Sequence, residues 1–108
     1  MINVKKAIQA VECDDLDLSS KRDLLRAIDI VDACLNMTKG HLETLRCCHF
    51  VGPVWDGNVP SKSDRDDLVR VGAIAKVSVK GEQGFNACTY RGYSFIQALQ
   101  SLLETNND

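Results

Sequence analysis

The amino-acid sequence predicts one domain of the α+β class that is mainly α-helical. Its length of 108 residues suits a single hydrophobic core, because two domains of half that size would each bury too little surface. Several segments repeat apolar residues at helical spacing, and one segment alternates apolar and polar residues beside a glycine turn. With 44% hydrophobic and 26% charged residues, the composition excludes a disordered, collagen-like or coiled-coil chain.

Residues 1–36 are predicted to form two helices. The segment 2–11 carries a short apolar stripe, and Ser19 or Ser20 caps a longer helix that runs to about Asn36. The longer helix has a wide apolar arc that must be covered on more than one side, either by the first helix or by a second copy of the chain. This arc contains Leu24, Leu25, Ala27, Ile28, Ile30, Val31, Cys34 and Leu35.

A third helix is predicted between Thr38, its cap, and Gly52, where the following Pro53 prevents further helix. Residues 54–60 are predicted to form an irregular loop that holds the single tryptophan, Trp55. A tryptophan in such a loop usually fills the core from the side, and we interpret Trp55 in this way. An exposed anchor for a partner is the alternative, since tryptophan is enriched in interfaces.

A short helix over residues 61–71 is predicted from the residues at its two ends. Ser63 and Asp66 have the spacing of a capping box, with aspartate in place of glutamate. Gly72 follows at the position where a helix commonly ends in the left-handed conformation.

A β-hairpin and a closing helix complete the predicted fold. Residues 74–80 alternate as a half-buried strand, residues 81–84 form the turn, and residues 85–90 return as the partner strand. Gly92 is expected to break this strand, and a helical stripe then runs through Tyr93, Ile96, Leu99 and Leu103.

Two stretches in this order resemble the winged helix-turn-helix superfamily. The run Leu68-Val69-Arg70-Val71-Gly72-Ala73-Ile74 is similar to the Leu-x-x-Leu-Gly-x-Ile end of a recognition helix. The run Thr89-Tyr90-Arg91-Gly92-Tyr93 is similar to the Thr-x-x-Gly that opens the helix after the wing. The resemblance implies a winged helix with a two-stranded antiparallel hairpin over residues 37–104. An N-terminal helical extension, residues 1–36, precedes it within the same domain, and residues 105–108 form a frayed tail.

For function, the resemblance implies a small DNA-binding regulator of transcription, of the size found among bacterial and phage accessory proteins. The helix 61–71 and the wing 74–90 would contact duplex DNA, with Arg65 at a guanine edge, and the N-terminal helices would form the two-fold contact of a homodimer. Amides at a helix N-terminus suit phosphate, and long side-chain donors suit base edges. The expected DNA-binding residues are Ser61, Lys62, Ser63, Arg65, Arg70, Lys76 and Lys80.

Charge gives mixed support to DNA binding. The chain has a net charge of −2, but residues 61–92 carry six basic and four acidic side chains, a net charge of +2. Three acids in the helix 61–71, Asp64, Asp66 and Asp67, would repel phosphate unless they cap the helix or face arginines. The stretch between Phe50 and Ser61 is also too short for the usual second helix of the motif. The alternative interpretation of Lys62, Arg65 and Arg70 is a solvated face that keeps a short helix soluble.

The alternative function is a winged helix that binds protein rather than DNA. Such a chain would be an adaptor or a phage-type inhibitor of a host complex, and its mixed charges would belong to the interface. Winged helices serve both purposes, because a fold does not specify a function.

An enzyme, a metal and a cofactor are not expected. His41 and His49 are separated by roughly 12 Å along one helix, and neither has an evident carboxylate to orient it. A metal site made from His41, Cys48 and His49 is conceivable, but a helix with two half-exposed histidines is the more common arrangement. The glycines at 81 and 84 belong to a hairpin turn and not to a phosphate-binding loop.

The sequence also predicts a cytoplasmic protein that has no contact with a membrane. No apolar run approaches the ~20 residues of a membrane span, and residues 1–10 lack the features of a signal peptide. The five cysteines are odd in number and lack disulfide-framework spacing, which favours a reducing compartment. Cys47 and Cys48 are interpreted as buried small hydrophobes, with a redox switch as the alternative.

Overall fold

A computed structural model describes the backbone of residues 4–12 and 19–106. In chain order the elements are α1 (Val4–Glu12), α2 (Lys21–Cys34), α3 (Lys39–Phe50), β1 (Val54–Trp55), a 3₁₀ turn (Asp56–Asn58), α4 (Lys62–Arg70), β2 (Ile74–Val79), β3 (Glu82–Cys88) and α5 (Tyr90–Asn106). The protein is therefore mainly helical with one antiparallel sheet, as the sequence predicts. None of the described helices is long and apolar enough to span a bilayer.

The chain divides into two compact units. The first unit comprises residues 1–38 and 94–108, and the second comprises residues 39–93. In the first unit the Ser20 hydroxyl caps α2 by accepting a hydrogen bond from the amide of Asp23, at 3.5 Å. The largest fully buried side chain of this unit is Phe95. Its other buried apolar residues are Ala7, Val11, Ala27, Ile30, Val31, Cys34, Ile96, Ala98, Leu99 and Leu102.

The sheet lies in the second unit and has three strands in the order β1-β3-β2, all antiparallel. The prediction of a two-stranded hairpin is therefore wrong in strand number. Val54 pairs with Asn86, and the buried Asn86 side chain donates from Nδ2 to the Val54 carbonyl oxygen at 3.0 Å. A strand of two residues is too short to show alternation, which explains why residues 54–60 resemble a loop in the sequence.

Trp55 lies on the short strand β1 and is 46% exposed, so the interpretation as a core residue is wrong. Its indole packs edge-on against Phe85, with ring centroids 5.5 Å apart. The indole also covers Gly84, where an added Cβ would come within 2.7 Å of the ring. Trp55 thus covers the outer surface of the sheet edge.

Both ends of α4 are formed by recognisable caps. The N-cap is Ser61, whose hydroxyl accepts from the amide of Asp64 at 3.2 Å, so the expected pairing of Ser63 with Asp66 is not the one that caps the helix. At the C-terminus, Gly72 has φ +81° and the Ala73 amide donates to the Leu68 carbonyl at 2.8 Å. This is the Schellman arrangement, and it confirms the predicted role of Gly72.

The hairpin turn is shorter than predicted. Its two central residues are Lys80 (φ 51°) and Gly81 (φ 82°), and Val79 pairs with Glu82 across it. Two consecutive positive φ angles are those of a type I′ turn, whose twist matches that of the flanking strands. Residues 82–84 therefore belong to β3 and not to the turn.

The expected break at Gly92 is also wrong, because Gly92 lies inside α5. The Thr89 hydroxyl accepts from the Gly92 amide at 2.9 Å and donates to the Gly72 carbonyl at 2.7 Å. A Cβ on Gly92 would overlap the carbonyl oxygen of Ala73. Glycine is thus required here by close approach of α5 to the start of β2, and not to end a strand.

Candidate nucleic-acid interface

Two of the three acids of α4 face α3 within the second unit. His41, on α3, is 7% exposed, and its Nε2 lies 2.9 Å from Asp67 Oδ2 and 3.4 Å from Asp64 Oδ1. The hydrogen bond from His41 holds the pKa of Asp67 below its usual range. Each of these two carboxylates thus directs one oxygen toward His41.

Arg65 does not occupy the outward position that the sequence analysis assigns to it. Its side chain is 13% exposed, and its Nη1 donates to Asp56 Oδ1 at 2.7 Å. Its Nε donates to Asp66 Oδ1, also at 2.7 Å. The bond to Asp56 links α4 to the 3₁₀ turn, and the bond to Asp66 lies within α4. The guanidinium is therefore not a free donor for a base.

Asp56 is the centre of this polar cluster, which we call the Asp56 cluster (Asp56, Arg65, Lys76, Asn86). The Lys76 ammonium donates to Asp56 Oδ1, and Asn86 Nδ2 donates to the same oxygen at 2.8 Å. The hydrogen bonds from Lys76 and Asn86 lower the pKa of Asp56, so the carboxyl is ionised at neutral pH. Lys76, expected at the DNA, is therefore bound to a carboxylate of its own chain.

We expect acid to destabilise the fold through Asp56. As pH falls, the unfolded chain takes up the Asp56 proton at the ordinary carboxyl pKa, whereas the folded chain takes it up only at the lowered pKa. The stabilisation that ionised Asp56 contributes is fully present above the ordinary carboxyl pKa. It is lost as the pH falls through the lowered pKa of Asp56 in the folded chain. Urea unfolding across the acid range should show a smaller loss of stability in Asp56→Asn than in the wild type. The control is Asp32→Asn, at an exposed position on α2. If the free energy of unfolding falls with pH as steeply in Asp56→Asn as in the wild type, the expectation is contradicted.

The remaining cations expected at DNA are exposed. Lys62 and Ser63 lie in the first turn of α4, and Lys80 lies at the tip of the hairpin. The Arg70 side chain is 74% exposed, although its Nη2 donates to Asp67 Oδ1 at 3.0 Å. Because residues four apart share one helix face, Lys62 and Arg70 lie on the same side of α4, with Asp66 between them.

A second surface was not found from the sequence. We call it the aromatic surface (Arg46, His49, Phe50, Val51, Tyr93). His49 stacks on Tyr93 with ring centroids 5.1 Å apart, and Arg46 lies 5.5 Å from the centre of the Phe50 ring. Phe50 is 68% exposed. The adjacent Phe50 and Val51, just before Gly52-Pro53, were the sequence signal for an apolar surface at the end of a helix.

Comparisons with known proteins leave the family open. No protein-family model, curated protein or solved structure matches the chain.

Of the two vicinal cysteines, Cys48 has the environment of a packing residue, whereas Cys47 is only half-buried, so the prediction that both are buried is wrong for Cys47. Cys48 is buried on α3, and burial, followed by the neighbouring Cys47, raises the pKa of its thiol to about 11. A thiol with that pKa carries very little of the nucleophilic thiolate near neutral pH. This environment favours the interpretation of Cys48 as a buried small hydrophobe over a redox switch.

Proposed function

We propose that the second unit is a winged helix in which a 3₁₀ turn takes the place of the usual second helix. The order of elements supports this proposal, since α3 is followed by the turn Asp56–Asn58, then by α4, the β2–β3 hairpin and α5. The Asp56 cluster adds a physical reason. The short turn is anchored to α4 by Arg65 and to the sheet by Lys76, so a full helix is not needed to orient α4.

We further propose that this unit binds duplex DNA through α4 and the hairpin, as a cytoplasmic regulator of transcription. The observation that carries the proposal is the division of charge on α4. Asp64 and Asp67 each place one carboxylate oxygen against His41, and the second oxygen of Asp67 accepts from Arg70, while Lys62 and Arg70 are exposed. The objection that acids on this helix would repel phosphate is thereby weakened, because Asp66 is also ion-paired, to Arg65.

The backbone at Lys80 gives independent support. A side chain at φ 51° is strained, and the first central position of a type I′ turn favours asparagine or glycine. A lysine retained there at a conformational cost is consistent with a use for its charge at the wing tip. In this proposal Lys62, Ser63, Arg70 and Lys80 contact the phosphates, and Arg65 and Lys76 position α4 and the wing.

We also propose that the first unit forms the two-fold contact of a homodimer. Leu25 and Ile28 on α2, and Leu35 at its C-cap, have exposed side chains, although the same helix carries buried core residues of that unit. Contiguous exposed apolar side chains mark interaction surfaces, and a two-fold contact pairs such a stripe with its own copy. Homodimerisation doubles the number of cations available to a duplex.

The test is fluorescence anisotropy of a labelled random duplex titrated with the protein at several salt concentrations. A dimer with three contacting cations per chain should lose about 10³-fold in affinity between about 50 and 200 mM salt.

Arg70→Glu should weaken binding and flatten the salt dependence. Lys80→Asn should weaken binding while the melting temperature stays constant or rises, since asparagine suits the turn. Sedimentation at the same concentrations reports whether the binding species is a dimer.

Lys39→Glu, at an exposed position in the first turn of α3, is the matched charge reversal and should bind like the wild type. Absence of binding at low salt would refute the DNA proposal. The protein-binding alternative would then be favoured, because the aromatic surface exposes Phe50 and Val51 to solvent. In that case Phe50→Ser, but not Lys62→Glu, should abolish capture of a partner.

A further inference from the structure

His41, Asp64 and Asp67 bring three metal-ligand atoms together where α3 packs on α4. One nitrogen and two carboxylate oxygens, one from each residue, all lie within 4.8 Å of one another. The His41 Nε2 atom is 2.9 Å from Asp67 Oδ2 and 3.4 Å from Asp64 Oδ1. Two of the ligands come from successive turns of α4, three residues apart, and the third comes from the buried face of α3.

These separations are close to those between ligands of a four-coordinate zinc ion. With Zn–N and Zn–O distances of roughly 2.0–2.2 Å and tetrahedral angles, ligand atoms lie roughly 3.3–3.5 Å apart. The two histidine–carboxylate distances differ from this range by at most a few tenths of an ångström. All three ligand atoms lie within 4.8 Å of one another, so an ion is admitted by movement of the two carboxylate side chains.

The groups around the three ligands also suit a metal site. Arg70 Nη2 donates to Asp67 Oδ1 at 3.0 Å, which leaves Oδ2 directed to His41 and supports the carboxylate from outside. Thr44 shares the buried face of α3 with His41 and is fully buried. Among the described residues the Thr44 hydroxyl has no hydrogen-bond partner, so this face of α3 holds a hydroxyl that is available for a further hydrogen bond.

We propose that His41, Asp64 and Asp67 bind a divalent transition-metal ion, with zinc the best match to one imidazole and two carboxylates. Three protein ligands leave a fourth position for water, and the Asp67 side chain is exposed enough to give solvent access to it. An imidazole ligand and a set of only three donors disfavour calcium, which takes six to eight oxygens. The proposal does not require DNA binding, although both proposals involve the contacts of His41 with Asp64 and Asp67 and the bond from Arg70 to Asp67.

The experiment is titration of the chelator-treated 108-residue chain with Zn²⁺ by calorimetry, and with Co²⁺ by visible absorption. We expect one Zn²⁺ per chain and a cobalt spectrum of a four-coordinate site without a strong thiolate band. Asp67→Asn keeps the shape of the side chain and should weaken Zn²⁺ binding by more than the ~10–100-fold loss that follows removal of a supporting residue. His41→Gln should do the same.

His49→Gln is the matched control, since His49 is on the same helix but stacks on Tyr93 and should bind Zn²⁺ like the wild type. Circular dichroism of the metal-free variants separates loss of a ligand from loss of folding, and Asp67→Asn serves as the test if His41→Gln does not fold. The proposal is overturned if Zn²⁺ shows no saturable binding, or if folded Asp67→Asn binds as tightly as the wild type. A thiolate-to-cobalt band that persists in Asp67→Asn would also overturn it, because cysteines would then hold the metal.

Discussion

Replacing Gly92 with alanine is expected to lower the free energy of unfolding by about 3 kcal/mol, at the upper end of the cost of overpacking a core. The new methyl group would overlap the Ala73 carbonyl oxygen and come within 2.7 Å of the Cys88 sulfur. The same carbonyl accepts from the Thr89 amide at 3.0 Å, so it cannot move away without losing a hydrogen bond that joins the start of α5 to β2. Chemical denaturation monitored by circular dichroism measures the loss.

The sign of this effect distinguishes packing from helix propensity. In a helix with open space, alanine in place of glycine is favourable by about 1 kcal/mol. Gln97→Ala, on the same helix, changes propensity without a backbone clash and should alter stability by much less than Gly92→Ala. Equal or greater stability of Gly92→Ala would show that α5 and β2 are not in close contact.

Charge reversal at Arg65 is expected to destabilise the protein by on the order of 2 kcal/mol, the scale of a hydrogen bond between charged groups. Arg65→Glu removes the bonds to Asp56 and Asp66 and places a third negative charge beside them. Arg65, which the sequence places at a guanine edge of DNA, is thus expected to act on the stability of the fold. The measurement is thermal and urea unfolding of the variant beside the wild type.

Lys62→Glu is the matched control, because it makes the same charge change at an exposed position of the same helix. It should leave the melting temperature close to that of the wild type. A stable Arg65→Glu protein would contradict the role assigned to the Asp56 cluster. If Arg65→Glu is unstable, its loss of duplex binding carries no information on base contacts, and the DNA proposal is judged from Arg70 and Lys80 instead.

The helices could be predicted because their signals are local. The stripe of α2 and its cap at Ser20 depend on residues within one or two turns of each other, and so does the glycine that ends α4. Because the donor and acceptor of such a bond are close in sequence, the residue types that make it can be recognised locally. The alternation of apolar and polar residues in β2 predicted a strand correctly. The turn was predicted over residues 81–84, whereas its central residues are Lys80 and Gly81.

The errors arose where a residue's partner is distant in the chain. Asp67 meets His41 across 26 residues, and Asn86 meets Asp56 across 30. A charge count treats every lysine and arginine of 61–92 alike. In the folded chain, Arg65 and Lys76 form ion pairs with Asp56, whereas Lys62 is exposed. Charge counting therefore located the basic region but not the cations that are available to a partner.

Local sequence was thus sufficient for the mainly helical α+β class, the caps at Ser20 and Gly72, and the presence of the hairpin. These features depend on periodicity and on backbone conformations that only a few residue types adopt readily. The third strand, the exposure of Trp55, the contacts of Arg65 and the grouping of His41 with two aspartates required the folded chain. Each is a contact between segments far apart in sequence, and such contacts form only when tertiary packing brings their side chains within hydrogen-bonding or van der Waals distance.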